Sequence, residues 1–389
     1  MHYNFNMPTR LHFGVKKLDE LANIAKPYGP KCLFVTTEDA EPLKGLFDRV
    51  KSQLRNQGFE VLHFDKVVPN PTVEIVEAGV EALNTFKADF VLAVGGGSTI
   101  DTAKTLCLMN NLSVIDWDYV FETFTNPHGL YETLSDVYLP LIAVPTTAGT
   151  GSEVTQAAVI SRGHDKNTIF HPQNYSDHAI LDPELLMTLP KKLTASTGFD
   201  AFSHAFESYI NPNATPVSES ISVKAMELVV NCLPQAVDQT QNLDSRTQLM
   251  HAQMLAGVGL ANAGAAAPHP LSEIIGGITG ISHGEALALV FPEFIRFHQR
   301  LKTQTSKLAV VARIFDSNLN SASDQEAALK LSDLVKAFLV DIKLYYSFKD
   351  YKLSQDSIDE IVESPTLGFL PFGSKDDLKG ILLDSINNR

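Results

Sequence analysis

Short apolar runs alternate with longer amphipathic stretches in the first half of the chain. Runs rich in β-branched and aromatic residues predict strands at 31–37, 59–65, 89–95 and 139–145. Leu, Val, Ile and Ala at helical spacing predict helices at 41–57, 72–87 and 98–110. Because strand and helix alternate, we expect crossover connections and a mainly parallel sheet. Two shorter runs, 157–161 and 178–181, predict a small antiparallel element, and 111–138 is expected to be irregular.

The pattern changes after Asp182-Pro183. Stretches of helical period rich in Ala and Leu predict helices at 216–239, 245–263, 284–300 and 323–340. We therefore expect an α/β domain over 1–185 followed by an all-helical domain over 186–389. No Gly/Ser-rich or Pro-rich linker separates the two, so we expect tight packing and a ligand cleft between them.

Composition and charge exclude several classes of protein. The 389 residues contain 31 Lys and Arg against 45 Asp and Glu, a net charge of −14, which argues against nucleic acid or an anionic membrane as partner. The chain has neither a long uninterrupted apolar run nor a secretory signal at its start, so we expect a cytoplasmic protein without membrane spans. Because only Cys32, Cys107 and Cys232 are present, any transition metal must be bound by His, Asp or Glu.

A glycine-rich turn follows the strand predicted at 89–95. Gly95, Gly96, Gly97 and Ser98 precede a predicted helix, whose free N–H groups and positive dipole end would bind a phosphate. The turn does not match G-x-G-x-x-G, because Ile100 stands where the last glycine is required. Taken alone, it fits a diphosphate site and a ligand-free tight turn equally well.

A second loop of small residues follows the strand predicted at 139–145. Its hydroxyl-bearing residues include Thr146, Thr147, Thr150 and Ser152, which would bond ribose and phosphate oxygens. Taken alone, this loop fits a surface turn better than a nucleotide-binding loop. Because both loops end strands of one sheet, they would meet at its carboxyl edge, and together they favour a dinucleotide.

Asp200 and His204 are four residues apart, so both side chains leave the same face of a helix. Ser196 or Thr197 is the expected helix cap, and Asn211 is the expected end. Such a pair is more often structural than metal-binding.

Two further histidines, His269 and His283, lie among small and apolar residues. For any single one of them a buried core histidine is the simpler interpretation. Taken with Asp200 and His204, they form a set of three imidazoles and one carboxylate. That set suits Zn²⁺ or Fe²⁺ better than Ca²⁺ or Mg²⁺.

These motifs together resemble the iron-containing (group III) alcohol dehydrogenase family. The matching stretches are Pro69 to Thr72, Gly95 to Lys104, Pro145 to Thr155, Lys166, Ala179 to Pro190, Gly198 to Ile210 and His283 to Pro292. They occur in the family's order between about residue 10 and residue 295.

The resemblance implies a Rossmann-like nucleotide-binding domain followed by an all-helical metal-binding domain, the architecture of dehydroquinate synthase. It implies an NAD(P)-dependent alcohol dehydrogenase or aldehyde reductase that acts on a small alcohol or aldehyde as a homo-oligomer, expected to be a dimer. Its metal ligands would be Asp200, His204, His269 and His283, with Fe²⁺ expected and Zn²⁺ or Ni²⁺ as alternatives. The metal would act as a Lewis acid on the substrate oxygen.

The resemblance also implies a cofactor site. Its residues would be Thr37, Asn70, Gly95, Gly96, Gly97, Ser98, Asp101, Thr146, Thr147, Thr150, Ser152 and Lys166. NAD-preferring members commonly carry Asp where this chain has Thr37, followed here by Glu38 and Asp39, so both NAD and NADP stay open.

Glu273 replaces a histidine that many members carry four residues after the third ligand. Its carboxylate would bind a substrate amine or hydroxyl, support a ligand histidine, or accept the alcohol proton through water. A surface position for Glu273 is an equally good interpretation. The tail after residue 345 departs from the family pattern.

Two other functions remain open from the sequence. One is a lyase resembling dehydroquinate synthase, which uses NAD and a metal held by Glu and two His. Asp200 with three His, and few basic residues near the ligands, argue against that lyase. The other is a non-catalytic protein that keeps a metal or nucleotide for structural reasons.

Overall fold

The computed structural model describes residues 2–163, 165–368 and 373–387. The chain divides into two compact units: Asn6–Thr188 forms the first, and Leu189–Arg389, grouped with the residues up to Phe5, forms the second. None of the described helices is both long and apolar enough to cross a membrane.

The first unit is an α/β fold. Its strands are β1 (Arg10–Phe13), β2 (Lys31–Thr37), β3 (Glu60–Val67), β4 (Phe90–Gly95), β5 (Leu141–Pro145), β6 (Ala157–Arg162), β7 (Asp165–Phe170) and β8 (His178–Leu181). Its helices are α1 (Leu21–Ala25), α2 (Lys44–Asn56), α3 (Val73–Phe86), α4 (Gly97–Leu108) and α5 (Trp117–Thr123). Within the described residues, six strands form one sheet in the order β1-β8-β5-β4-β2-β3, with every pairing parallel. The predicted parallel sheet is therefore confirmed.

Both faces of this sheet are buried. In β2, Leu33 and Val35 belong to one apolar core, whereas Cys32 and Phe34 belong to the core on the opposite face. Burial on two faces explains why the strands are continuous apolar runs without polar alternation.

The strand order places a topological switch between β2 and β4. These strands are neighbours, yet β2 is followed by β3 on one side and β4 is followed by β5 on the other. Because the two connections leave in opposite directions, a crevice opens at the carboxyl ends of β2 and β4. Thr37 and Gly95 end these two strands.

Two expectations for this unit were wrong. The run at 178–181 belongs to the main sheet as β8, parallel to β1 and β5, while β6 pairs antiparallel with β7 instead. A fully buried four-residue strand carries no period that distinguishes a central parallel strand from a hairpin strand. The segment 111–138 was expected to be irregular, but it contains α5, where Asp116 caps the helix by accepting from the Tyr119 N–H.

The second unit is helical. Its helices are α6 (Lys191–Ile210), α7 (Pro216–Asp238), α8 (Leu243–Ala263), α9 (Pro268–Thr279), α10 (His283–Leu301), α11 (Thr305–Phe315), α12 (Asp324–Asp341), α13 (Gln355–Val362) and α14 (Lys375–Asn387). No strand occurs in the part of this unit that the structure describes. The all-helical prediction is confirmed there.

Helix α6 is the central element of the second unit and packs against α7, α8 and α10. It begins directly after Pro190, so the predicted caps, Ser196 and Thr197, lie inside the helix. Their hydroxyls donate to the carbonyl oxygen of Leu193 instead of capping free N–H groups. The predicted end at Asn211 is confirmed.

Candidate active site

Helix α6 presents a stripe of polar side chains inside the second unit. Asp200, His204 and Glu207 are spaced by four and three residues, so they share one helix face. Asp200 is 4% exposed and Glu207 is fully buried. Burial of two carboxylates requires partners that offset their charge.

Three imidazoles converge on one oxygen of Asp200. From Asp200 Oδ1 the distances are 3.4 Å to His269 Nε2, 3.5 Å to His283 Nε2 and 3.6 Å to His204 Nδ1. Asp200, His269 and His283 each offer a ligand atom within 4.8 Å of the other two. His204 lies beside this trio, its ring stacked on that of His269 with centroids 4.3 Å apart. The structure thus brings all four predicted ligands together. Asp200, His269 and His283 each lie close to the other two, and His204 lies beside Asp200 and His269.

Hydrogen bonds fix the orientation of two of the imidazoles. His269 Nδ1 donates to Glu207 Oε1 at 2.6 Å, and the other Glu207 oxygen accepts the Ala266 N–H at 2.7 Å. Ser272 Oγ donates to the His269 carbonyl at 2.6 Å, so it accepts from His283 Nδ1 at 3.1 Å. With Nδ1 as the donor in both rings, each Nε2 lone pair faces Asp200.

A divalent cation fits this arrangement. Asp200 Oδ1 and His269 Nε2 are buried, and neither has a hydrogen-bond partner among the described residues. Tetrahedral sites with bonds of about 2.0–2.2 Å separate neighbouring ligand atoms by about 3.3–3.6 Å. The contacts to Asp200 Oδ1 lie at that separation, slightly too long for good hydrogen bonds.

The electrostatics of the cluster favour positive charge. Burial alone would lower the pKa of His269, but the carboxylates of Glu207 and Asp200 outweigh it and raise that pKa to about 10. Burial would likewise raise the pKa of Asp200, yet the surrounding imidazoles hold it well below its usual value. A proton or a metal cation supplies the charge that these groups require.

Close helix packing brings His283 into the cluster. A Cβ atom on Gly284 would lie 2.4 Å from the carbonyl oxygen of Ser196, so the start of α10 rests directly on the α6 backbone. Glu285 reinforces this contact by pairing with Lys192 at 2.8 Å. The close contact between α10 and α6 therefore requires a residue without a side chain at position 284.

At the switch point of the first unit, Gly95 ends β4 and Gly96 precedes α4. No side chain in the described part of the chain caps the N-terminus of α4, and Gly96, Gly97 and Ser98 are partly buried. Uncapped N–H groups at a helix start are suited to bind a phosphate.

The two predicted nucleotide loops lie side by side. The Thr146 N–H donates to the Gly95 carbonyl at 2.9 Å. A Cβ atom on Gly96 would come within 3.2 Å of Thr147, and one on Gly97 within 2.7 Å of Thr150. The glycines therefore also make room for the hydroxyl-rich loop.

Asp101 and Ser152 bond to each other. The Ser152 hydroxyl donates to Asp101 Oδ1 at 2.5 Å, and the Val159 N–H donates to the other oxygen at 3.0 Å. Lys104, fully buried, donates to the Ala157 carbonyl at 2.7 Å. Helix α4 thereby holds the second loop against the first.

The remaining predicted cofactor residues surround this edge of the sheet. Thr37 is the last residue of β2, and Asn70 is an exposed residue after β3 with a left-handed φ of 54°. Lys166 lies on β7 opposite Ser161, whose N–H donates to the Pro71 carbonyl at 2.8 Å.

Glu273 lies on α9, one turn after His269, and is partly buried. Within the described residues its carboxylate forms no ion pair. It is therefore not neutralised by a neighbouring cation of the described chain.

Sequence reasoning missed Glu207 and Ser272, which orient the ligand histidines. The signal for Glu207 was present, since it follows Asp200 by seven residues and His204 by three on the same helix face. Nothing in the local sequence marks Ser272, because its contact depends on how α9 meets α10.

The chain matches two family models in sequence. Residues 8–183 match the iron-containing alcohol dehydrogenase model, and residues 194–367 match the C-terminal model of the Fe-containing alcohol dehydrogenase family. Long-chain-alcohol dehydrogenase 1 of Geobacillus thermodenitrificans is 32% identical, covering 92% of this chain and 88% of that protein. NAD-dependent methanol dehydrogenase of Bacillus methanolicus is 32% identical, covering 84% of this chain and 83% of that protein.

A solved structure of a 1,3-propanediol oxidoreductase has the same fold, with a TM-score of 0.90 at 28% identity. The match covers 99% of this chain and 100% of that one. Both units are thus matched in sequence and in structure. The chain therefore belongs to the iron-containing alcohol dehydrogenase family and is an NAD(P)-linked, metal-dependent alcohol oxidoreductase.

Proposed function

We propose that this enzyme interconverts a small alcohol and its aldehyde at a metal ion held by Asp200, His204, His269 and His283. The observation that supports this assignment is the convergence of three imidazole nitrogens on the buried Oδ1 of Asp200, which has no hydrogen-bond partner among the described residues. When bound, the metal acts as a Lewis acid on the substrate oxygen, and NAD(P) exchanges hydride with the substrate carbon.

The metal ligands leave one side of the cluster open. The Asp200 and His269 side chains are 5% and 10% exposed, whereas that of His283 is 33% exposed. A substrate oxygen would therefore approach the metal from the side of His283. Asp200 offsets part of the cation's charge, and the neutral imidazoles keep the metal electrophilic.

Glu207 and Ser272 act on the ligands and not on the substrate. Each accepts a hydrogen bond from the Nδ1–H group of one imidazole, so the Nε2 lone pair of that ring stays directed at the metal position. Glu207 also increases the basicity of His269.

The nucleotide would bind at the carboxyl edge of β4 and β5. Its diphosphate would contact the turn from Gly95 to Ser98 at the start of α4. The hydroxyls of Thr146, Thr147 and Thr150 would bond phosphate and ribose oxygens. Asp101, through Ser152, would fix the spacing of the two loops.

The assignment of 1–185 to nucleotide binding and 186–389 to metal binding stays a prediction. Three further expectations also stay predictions: the cytoplasmic location, the homodimer and the absence of nucleic acid partners. The net charge of −14 supports the last of them. Family membership leaves the lyase and the non-catalytic alternatives without an observation in their favour.

The test is reconstitution of the metal-free protein with Fe²⁺, Zn²⁺, Ni²⁺ or no metal, followed by NAD(P)H absorbance with a panel of alcohols and aldehydes. We expect activity only with metal, and His269→Ala and His283→Ala should lose metal and activity together. Full metal occupancy in both variants would refute the ligand assignment, and undiminished turnover without metal would refute the mechanism.

A further inference from the structure

The carboxyl end of β2 carries two acidic residues directly after Thr37, Glu38 and Asp39. In doubly wound sheets the carboxyl end of this strand binds the adenosine ribose. A carboxylate there accepts a hydrogen bond from the 2′-hydroxyl of NAD, whereas a nearby basic group accommodates the 2′-phosphate of NADP. Because β2 borders the switch point, the same position is expected to face the ribose here. Two uncompensated carboxylates would therefore repel NADP, the partly buried Asp39 more strongly than Glu38, which is exposed and screened by water.

The structure shows that Asp39 is compensated. Its Oδ2 accepts from Lys51 Nζ at 2.7 Å, and its Oδ1 lies 3.7 Å from Lys44 Nζ. The hydrogen bond from Lys51 lowers the pKa of Asp39, so the carboxylate is ionised and paired. Lys51 and Lys44 also contact Asp48, at 3.0 and 3.3 Å, which gives two cations and two anions in one cluster.

The two lysines are not equivalent. The side chain of Lys51 is 13% exposed, whereas that of Lys44 is 47% exposed. Lys51 is thus confined between Asp39 and Asp48, and water screens it less than Lys44. A confined ammonium therefore offsets the charge of Asp39 more strongly than Lys44 does.

His63 does not supply the positive charge. Its ring stacks on Phe34, with centroids 4.6 Å apart, and its Nε2 lies 2.8 Å from Thr36 Oγ1. Because Thr36 Oγ1 donates to the Thr37 carbonyl at 2.6 Å, it accepts from His63 Nε2. Burial, assisted by the charge of Lys51, lowers the pKa of His63, so the ring is neutral.

We propose that Lys51 is the residue that lets this enzyme accept NADP as well as NAD. By pairing with Asp39 it offsets the charge of the less screened of the two carboxylates that would repel the 2′-phosphate. The 2′-hydroxyl of NAD carries no charge, so NAD binding does not depend on Lys51. This inference rests on the proposed nucleotide site at the ends of β2 and β4.

The experiment is a titration of the metal-loaded enzyme with NADPH and with NADH, with cofactor fluorescence as the readout and no substrate present. Lys51→Met should weaken NADPH binding about tenfold, a loss of about 1.4 kcal/mol, and change NADH binding less than about twofold. The loss should shrink as salt is added. Lys51→Arg should keep NADPH binding, because it keeps the charge.

Two further variants separate repulsion by Asp39 from a general disturbance of the fold. Adding Asp39→Asn to Lys51→Met should restore part of the NADPH affinity, because the released carboxylate is removed. Lys44→Met is the matched control, and the exposed Lys44 should change NADPH binding less than about threefold.

An unchanged ratio of NADPH to NADH affinity in a folded Lys51→Met variant would overturn the inference. Wild-type enzyme that binds NADH and rejects NADPH would overturn it as well, while leaving the proposed function intact. Wild-type enzyme that binds neither cofactor would refute the proposed nucleotide site, and the inference would fall with it.

Discussion

His269 Nδ1 donates a 2.6 Å hydrogen bond to Oε1 of Glu207, a carboxylate buried completely inside the helical unit. The second Glu207 oxygen accepts the Ala266 N–H, two residues before α9 begins at Pro268. One side chain of α6 therefore holds both the ring of His269 and the backbone that leads into its helix. Glu207 positions a metal ligand without being one.

Glu207→Gln tests this role. A glutamine retains one acceptor oxygen but presents an N–H₂ group to either His269 or Ala266, so one of the two hydrogen bonds is lost. We expect metal affinity to fall about 10- to 100-fold, as is usual when a carboxylate behind a ligand histidine is removed. Competition with a chromogenic chelator measures that affinity.

Glu227→Gln is the control, because Glu227 is a partly exposed residue of α7 and forms a surface ion pair with Lys224. Equal metal affinities of both variants would show that the Glu207 carboxylate is not needed to support His269.

Gly284→Ala should displace His283 from the cluster. The new methyl group would lie 2.4 Å from the Ser196 carbonyl, an atom of the α6 backbone that cannot rotate away. We expect a loss of about 1–3 kcal/mol in the free energy of unfolding, together with weaker metal binding. Chemical denaturation and metal titration measure the two effects.

Gly380→Ala is the matched control, since Gly380 lies in helix α14 and its Cβ would meet no atom within 4 Å. That change should leave metal affinity as it is and stabilise the helix slightly. If Gly284→Ala behaved like Gly380→Ala, close packing at His283 would have no role.

Gly96→Val should weaken NAD(P)H binding while the metal stays bound. The branched side chain would stand where a phosphate must approach the backbone, and its Cβ would lie 3.2 Å from Thr147 in the adjoining loop. Fluorescence titration of NADH and NADPH measures the loss, and metal content reports on the other unit. A folded variant with wild-type affinity for both cofactors would make the glycine turn a structural feature alone.

The sequence predicted the features that depend on spacing within one element. Alternating apolar runs predicted the parallel sheet, and helical spacing placed Asp200 and His204 on one face of α6. Joining them with His269 and His283 relied on the small and apolar settings of these two histidines and on the family resemblance, because His269 comes 65 positions after His204 and no periodicity spans that distance.

Features that depend on contacts between elements could not be predicted. The role of Ser272 follows from the approach of α9 to α10, and that of Gly284 from the approach of α10 to α6. β8 was misplaced for the same reason, since its register with β1 and β5 is a long-range relationship. The ion pair of Asp39 with Lys51 could not be predicted either, because Lys51 lies on the following helix.

Glu273 gives the last prediction. It lies one turn after His269 on α9 and is partly buried, so it can face the same side of the helix as the ligand. If its carboxylate accepts the alcohol proton through water, Glu273→Gln should lower kcat for alcohol oxidation by about 100-fold and flatten its pH profile, with metal content unchanged. If it instead supports a ligand histidine, metal affinity should fall and kcat of the reloaded enzyme should recover.

A third role for Glu273 would be as counter-charge to a substrate amine. In that case Glu273→Gln should raise KM for an amino alcohol such as ethanolamine and leave KM for 1-propanol unchanged, with kcat little altered for either. Glu219→Gln, at a partly buried carboxylate paired with Lys307, is the control for loss of a negative charge elsewhere in the unit. Wild-type kinetics with both alcohols and wild-type metal content would place Glu273 outside the active site, leaving proton transfer to water or to the cofactor ribose.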